Sequence, residues 1–168
     1  MKSKILSLVC CITISANIKA QDIFNASKTN DISQIASCIS KINEKDSRGY
    51  TPLILAVYNG SYDAAKYLLD HGAIVDEQDN SGNTALMGAI FKGNIDLAKL
   101  LLAHRAAINI QNYNGATALI YAAVFSKKTL IKLLLENKAD KNLKDSSGKT
   151  ALQHAVLQAN EDAVLLLQ

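Results

Sequence analysis

The sequence predicts an all-α solenoid of stacked helix-turn-helix units joined by β-turn or hairpin loops, and three observations carry that prediction. The first is a stamp that recurs at a fixed interval. Gly49-Tyr50-Thr51-Pro52, Gly82-Asn83-Thr84-Ala85, Gly115-Ala116-Thr117-Ala118 and Gly148-Lys149-Thr150-Ala151 stand 33 residues apart. The second is the Leu-x-x-Ala that each stamp leads into, at Leu53 and Ala56, Leu86 and Ala89, Leu119 and Ala122, and Leu152 and Ala155. The third is a Leu-Leu pair closing each unit, at Leu68-Leu69, Leu101-Leu102, Leu134-Leu135 and Leu166-Leu167. A period near 33 with this internal order marks a stacked helical repeat, whose units bury their apolar faces only against their neighbours.

Within a unit the order reads as turn, helix, short loop, helix. The turn holds Gly49, Gly82, Gly115 or Gly148, where a residue free to take positive φ reverses the chain. The following Thr is placed to cap the first helix with its hydroxyl, and Pro52 sits where a missing N–H costs nothing. Alanine at the repeated position lets paired helices approach closely. Gly60 and Gly93 end the first helix, and Asp63 and Asp96 are expected to start the second. Gly88 and Tyr121 stand where Leu55 stands in the unit before, so Tyr121 is expected to fill space left by Gly88.

The first twenty residues read differently. Lys2 and Lys4 precede an apolar run from Ile5 to Ala16, and Ile18-Lys19-Ala20 ends in a small residue. That is the layout of a secretory signal with cleavage after Ala20. A run of about twelve residues is too short to span a bilayer as a helix, which takes about 20. The segments then divide as 1–20 signal peptide, 21–45 a degenerate N-terminal capping unit, full repeats at 46–78, 79–111 and 112–144, and a truncated C-terminal unit at 145–168. Lys2, Lys4 and Lys19 leave with the signal, so the 18 basic and 15 acidic residues of the chain become equal in the mature part. Nucleic-acid binding usually needs a basic excess that releases counterions, and that balance does not supply one. Cys38 is the only cysteine left after cleavage. It rules out an intramolecular disulfide and fits a buried, inert thiol.

The stamps resemble the ankyrin-repeat pattern D-x-x-G-x-T-P-L-H-x-A…G…LL-x-x-G-A-D-x-N. Asp46 to Ala56 with Gly60, Leu68-Leu69 and Gly72-Ala73 meets it, followed by Asp79 to Ala89 with Leu101-Leu102 and Asn109. Asn112 to Ala122 with Leu134-Leu135 and Ala139 to Asn142 is the third match, and a fourth starts at Asp145. In residues 22–45, Ala26, Asp31, Ile35 and Ile39 fit two helices without the opening turn. The His of the pattern is replaced by Ile54, Met87, Ile120 and Gln153, so its usual hydrogen bond between turns is expected to be missing. Arg105 and Lys138 replace the glycine of Leu-Leu-x-x-Gly. Each is expected to hold a left-handed backbone at a cost of about 1 kcal/mol relative to glycine.

No motif carries chemistry. Ser147-Gly148-Lys149-Thr150 lacks the glycine a phosphate loop needs, since position 143 is Leu143. His71 and His104 stand one repeat apart, too far for a tight zinc cluster, and suit the negative ends of helices instead. His154 has no nucleophile at a motif spacing. Catalytic, metal and cofactor residues are therefore not expected.

What the resemblance implies is a non-catalytic protein-interaction module, binding through a concave groove of turn tips and first helices. The residues expected to meet the partner are Arg48, Tyr50, Tyr58, Asn59, Asn83, Phe91, Lys92, Tyr113 and Phe125, because aromatics and Arg dominate interface energetics. The partner is a protein, with no nucleic acid and no membrane insertion after cleavage. The resemblance reaches exported bacterial ankyrin-repeat proteins linked to protection from peroxide through a partner catalase, which implies periplasmic stress protection. The alternatives are a secreted effector engaging a host protein, or a scaffold that self-associates weakly through the apolar Leu165-Leu166-Leu167 end.

Overall fold

A computed structural model describes residues 23–168, so the expected signal segment lies outside the described residues. The elements are α1 over residues 23–29, α2 Ile32–Ser37, α3 Pro52–Asn59, α4 Tyr62–Asp70, α5 Ala85–Lys92, α6 Ile95–Ala103, α7 Ala118–Val124, α8 Lys128–Glu136, α9 Ala151–Leu157 and α10 Glu161–Leu167. A single 3-10 turn, Ile39–Lys41, follows α2, and no strand occurs among the described residues. The all-α repeat fold read from the sequence is the fold observed.

Each first helix starts as its sequence dictates. Thr51, Thr84, Thr117 and Thr150 hold extended backbones, and their hydroxyls accept from the amides of Ile54, Met87, Ile120 and Gln153. At Thr150 the cap is reciprocal, since the Gln153 side chain accepts from the Thr150 amide at 2.9 Å. Helices α3, α5, α7 and α9 stack on one another as an inner layer, and α4, α6, α8 and α10 as an outer one, with α2 packed on α4. Ala56, Ala89, Ala122 and Ala155, all fully buried, set the close approach within the inner layer. Ile54, Met87 and Ile120, standing where the pattern has His, are apolar core residues as expected.

Three expectations are corrected. The closing pair of the last unit is out of register by one residue. The fully buried leucine near the end of each outer helix is Leu68, Leu101, Leu134 and then Leu167, at an unbroken interval of 33, whereas Leu166 is only partly buried. Asp63 and Asp96 do not start the second helices. Asn94 caps α6 by accepting from the Leu97 amide at 3.0 Å, and Ser61 precedes α4; both aspartates lie in the first turn, where the helix dipole favours them. The space over Gly88 is filled from the other side: a Cβ there would lie 2.9 Å from Cε2 of Tyr58, not against Tyr121.

Arg105 and Lys138 do take the left-handed conformation, with φ of 64° and 66°. Ser126 and Ala159 do so as well, at φ 54° and 51°, where the earlier units use Gly60 and Gly93. A side chain at positive φ brings its Cβ against the backbone, so replacing it with glycine removes strain. Arg105→Gly and Lys138→Gly are each expected to stabilise the fold by about 1 kcal/mol. Midpoints of urea unfolding check this; unchanged or lowered midpoints contradict it.

Candidate functional site

The turn tips are built by one side chain each. Asp46 Oδ1 accepts from the amides of Arg48 and Tyr50, and Asp79 Oδ1 from those of Ser81 and Asn83. Asn112 and Asp145 repeat the arrangement with Asn114 and Ala116, and with Ser147 and Lys149. Successive tips are then joined through their backbones: Asn80 donates to the Arg48 carbonyl, Tyr113 to Ser81 and Ser146 to Asn114, at 2.9–3.1 Å. Gln78 and Gln111 stitch the same edge, each donating to a carbonyl 33 residues on, at Gln111 and Lys144. The tips therefore stand as a fixed row beside the inner helices.

Along that row runs a continuous ladder of rings. The Arg48 guanidinium lies 4.6 Å from the Tyr50 ring centre, and Tyr50 stacks on Tyr58 at 5.8 Å. Tyr58 meets Phe91 at 6.3 Å, Phe91 meets Phe125 edge-on at 5.0 Å, and Phe125 meets Tyr121 at 5.8 Å. Phe91 and Phe125 remain 42% and 41% exposed, and Tyr113, on its tip, 73%. Offset and edge-on ring pairs are each worth about 0.5–1.5 kcal/mol beyond area burial, so the ladder is preorganised and its rings lose little freedom when covered.

The other sequence-predicted residues take distinct places. Lys92 is exposed at the end of α5, and Asn59 is exposed with its amide donating to the Leu55 carbonyl at 2.8 Å. Asn83 faces inward: its Nδ2 donates to Asp79, and its Oδ1 accepts from Asn112 and from the Tyr121 hydroxyl. Tyr58 and Tyr121 are half-buried. Burial, with Tyr50, Asp79 and Tyr121 nearby, pushes the Tyr58 phenol up to about 12. Burial also raises Tyr121, with Asp79 adding to the effect against a hydrogen bond from Asn112. Both stay neutral at ordinary pH.

Sequence reasoning missed the far end of this face. A cleft of about 200 Å³ opens between the third and fourth units, walled by Ile120, Val124 and Phe125 and floored by Tyr121, Asp145 and His154. His154 Nε2 donates to Asp145 Oδ2 at 2.6 Å. The signal was available: His154 stands nine residues after the tip aspartate, as Tyr121 stands after Asn112, and both pairs bond. Burial alone would raise the Asp145 carboxyl. Hydrogen bonds from the Lys149 amide, the Ser147 hydroxyl, His154 and the Ser147 amide outweigh it and hold the group far below the usual carboxylate range.

That depression gives a signed prediction. A carboxylate whose folded pKa is lowered contributes stability that is fully present above its unfolded value, about 3.9, and is lost as pH falls through the folded pKa. Asp145→Asn keeps the acceptor oxygen, as Asn112 shows at the third tip, but cannot titrate. Between pH 4 and strongly acid pH the variant is expected to lose less stability than wild type. Asp31 and Asp70, also lowered, titrate equally in both proteins. Urea midpoints at pH 5 and in acid check this, and parallel losses contradict it.

Elsewhere the polar groups serve structure. His71 and His104 end α4 and α6, as their helix-end reading expects; His71 stacks on Tyr67 at 3.9 Å and His104 lies 3.6 Å from Asp70. Cys38 is buried and unpaired among the described residues. Among those residues no group of three or more His, Cys, Asp or Glu could hold a metal ion, and no helix is long and apolar enough to cross a membrane. At the last unit Val156, Leu157 and Leu165 stand 58%, 65% and 72% exposed.

A family model described as ankyrin repeats, in three copies, matches residues 23–112 and 102–168. None of the curated proteins matches the chain. The two matched stretches together span every described residue, and the chain belongs to the ankyrin-repeat family, whose repeats mediate protein–protein interaction and are not catalytic modules.

Proposed function

We propose that the chain is exported and that its mature part binds a protein partner through the face formed by the turn tips and inner helices. The bacterial periplasm is the compartment, and stress protection the process it serves there. The observation that carries the reading is the ring ladder from Arg48 to Phe125, preorganised yet solvent-exposed at Phe91 and Phe125. Exposed aromatic surface of this extent beside cations is what interface centres are made of. The Lys2/Lys4 start, the short apolar run and Ala20 support export.

A crosslinked pull-down from the envelope fraction tests it, run with the tagged chain and with a Phe91→Ala/Phe125→Ala variant. These two rings suit the test better than Tyr58, which also packs on Gly88. One dominant partner captured by the wild type and lost by the variant is expected. A partner retained equally by both removes the groove. Recovery of the chain from the medium rather than the envelope removes the periplasmic assignment.

A further inference from the structure

The carboxylates of the protein are kept off one face. The tip positions outside the clasping Asp or Asn are Ser47, Arg48, Tyr50, then Asn80, Ser81, Asn83, then Tyr113, Asn114, Ala116, then Ser146, Ser147, Lys149; none is acidic. The ends of the inner helices add Tyr58, Asn59, Phe91, Lys92, Val124 and Phe125, again with no carboxylate. The tip aspartates point inward and are spent. Asp46 and Asp145 side chains are only 19% and 13% exposed, Asp79 is buried, and each carboxylate is filled by the bonds that form its own tip. At the edge of the row, Glu77 pairs with Lys45 and Glu44 with Lys41. Of the other acids, Asp63, Asp70, Asp96, Glu136, Glu161 and Asp162 lie in the outer helices, Asp31 caps α2, and Asp76 and Asp140 sit in the loops leading from the outer helices to the tips, accepting from the Ala107 and Asn142 amides. Arg48, Lys92 and Lys149 thus stand as cations along the ring ladder; Arg48 pairs with Asp46 at 3.3 Å with its side chain still 59% exposed, and among the described residues Lys92 and Lys149 make no ion pair.

Resting on the reading of this face as the binding groove, we propose that its partner presents an acidic, extended peptide segment with apolar or aromatic side chains between its carboxylates. The carboxylates meet Arg48, Lys92 and Lys149, and the intervening side chains cover Phe91 and Phe125. Complementary charge along a fixed row sets register and direction, and like charge on a wrong segment is repelled. A single-stranded nucleic acid would also seek cations and rings, but the observations favour the peptide. Three cations neutralise few phosphates, and the edge-on contact of Phe91 with Phe125 breaks up the row of open ring faces that bases stack on.

Selection of random linear peptides on the immobilised full chain tests this, repeated on Phe91→Ala/Phe125→Ala and on Lys92→Glu/Lys149→Glu, with oligothymidine as competitor. The expected pool is acidic, is lost on the aromatic variant, and binds the charge-reversed variant about tenfold more weakly, with affinity falling as salt rises. A neutral or basic pool that still needs Phe91 and Phe125 overturns the acidic partner and leaves the groove standing. A pool indifferent to the aromatic variant, or no enrichment at all, overturns both. Displacement of the bound peptides by oligothymidine at equal or lower concentration overturns the peptide in favour of a nucleic acid.

Discussion

Gly82→Ala is expected to destabilise the protein by about 3 kcal/mol or more, while the same change at Gly148 costs about 1 kcal/mol. Both glycines hold positive φ, 79° and 76°, so both variants carry the strain of a Cβ in the left-handed region. Only one meets a neighbour. A Cβ on Gly82 would lie 2.7 Å from both the backbone nitrogen and Cδ1 of Tyr113, whereas one on Gly148 meets nothing within 4 Å. Backbone cannot swing aside as a side chain can, so the Gly82 variant must push the third tip away. That sacrifices the bond from the Tyr113 amide to the Ser81 carbonyl and adds an overpacking cost of about 1–3 kcal/mol. Urea unfolding of both variants decides; equal losses would show that the tips do not touch as described.

Leu101→Ala is expected to cost about 3–5 kcal/mol. Leu101 is fully buried in the central unit, with packed units on both sides to hold the cavity open. The same truncation tests the corrected register at the last unit. Leu167, 1% exposed, should be costly to truncate, and the partly buried Leu166 should lose much less. A larger loss at Leu166 would restore the pairing that the Leu165-Leu166-Leu167 run suggests on its face.

Those cases mark where the sequence is legible. The 33-residue interval, the Thr caps and the Gly tips are local rules that each unit obeys by itself, so they can be read from one chain and are seen in the helix starts. Register inside the run of three leucines was legible too, since the interval of 33 from Leu134 falls on Leu167, but the local Leu-Leu motif taken by itself points to Leu166. The packing over Gly88 failed for a related reason. Column alignment pairs Gly88 with Tyr121, but a side chain from the preceding unit, Tyr58, is the one that reaches the gap.

Charge was the least legible feature of the candidate site. Counted along the chain, residues 21–100 hold more acids than bases and 101–168 the reverse, which suggests an end-to-end gradient. The fold instead keeps free carboxylates off the tip row, a pattern hidden because inner and outer helices alternate every half-unit and any linear window averages over both. The inward turn of Asp46, Asp79 and Asp145 completes the effect. A tip aspartate looks exposed in sequence, yet its carboxylate is consumed by the amides two and four residues on.

The measurement that bears most directly on the groove is the affinity of the captured partner for three proteins: wild type, Phe91→Ala/Phe125→Ala, and Tyr62→Ala. Tyr62 lies on the outer helix α4 and is 41% exposed, matching the two phenylalanines in accessibility but not in face. Loss of two central rings is expected to weaken binding by about 2 kcal/mol or more, roughly thirtyfold, with Tyr62→Ala left within about twofold of wild type. Equal affinity in wild type and the phenylalanine variant, or a larger loss at Tyr62, would contradict the groove and place the partner on the outer helices.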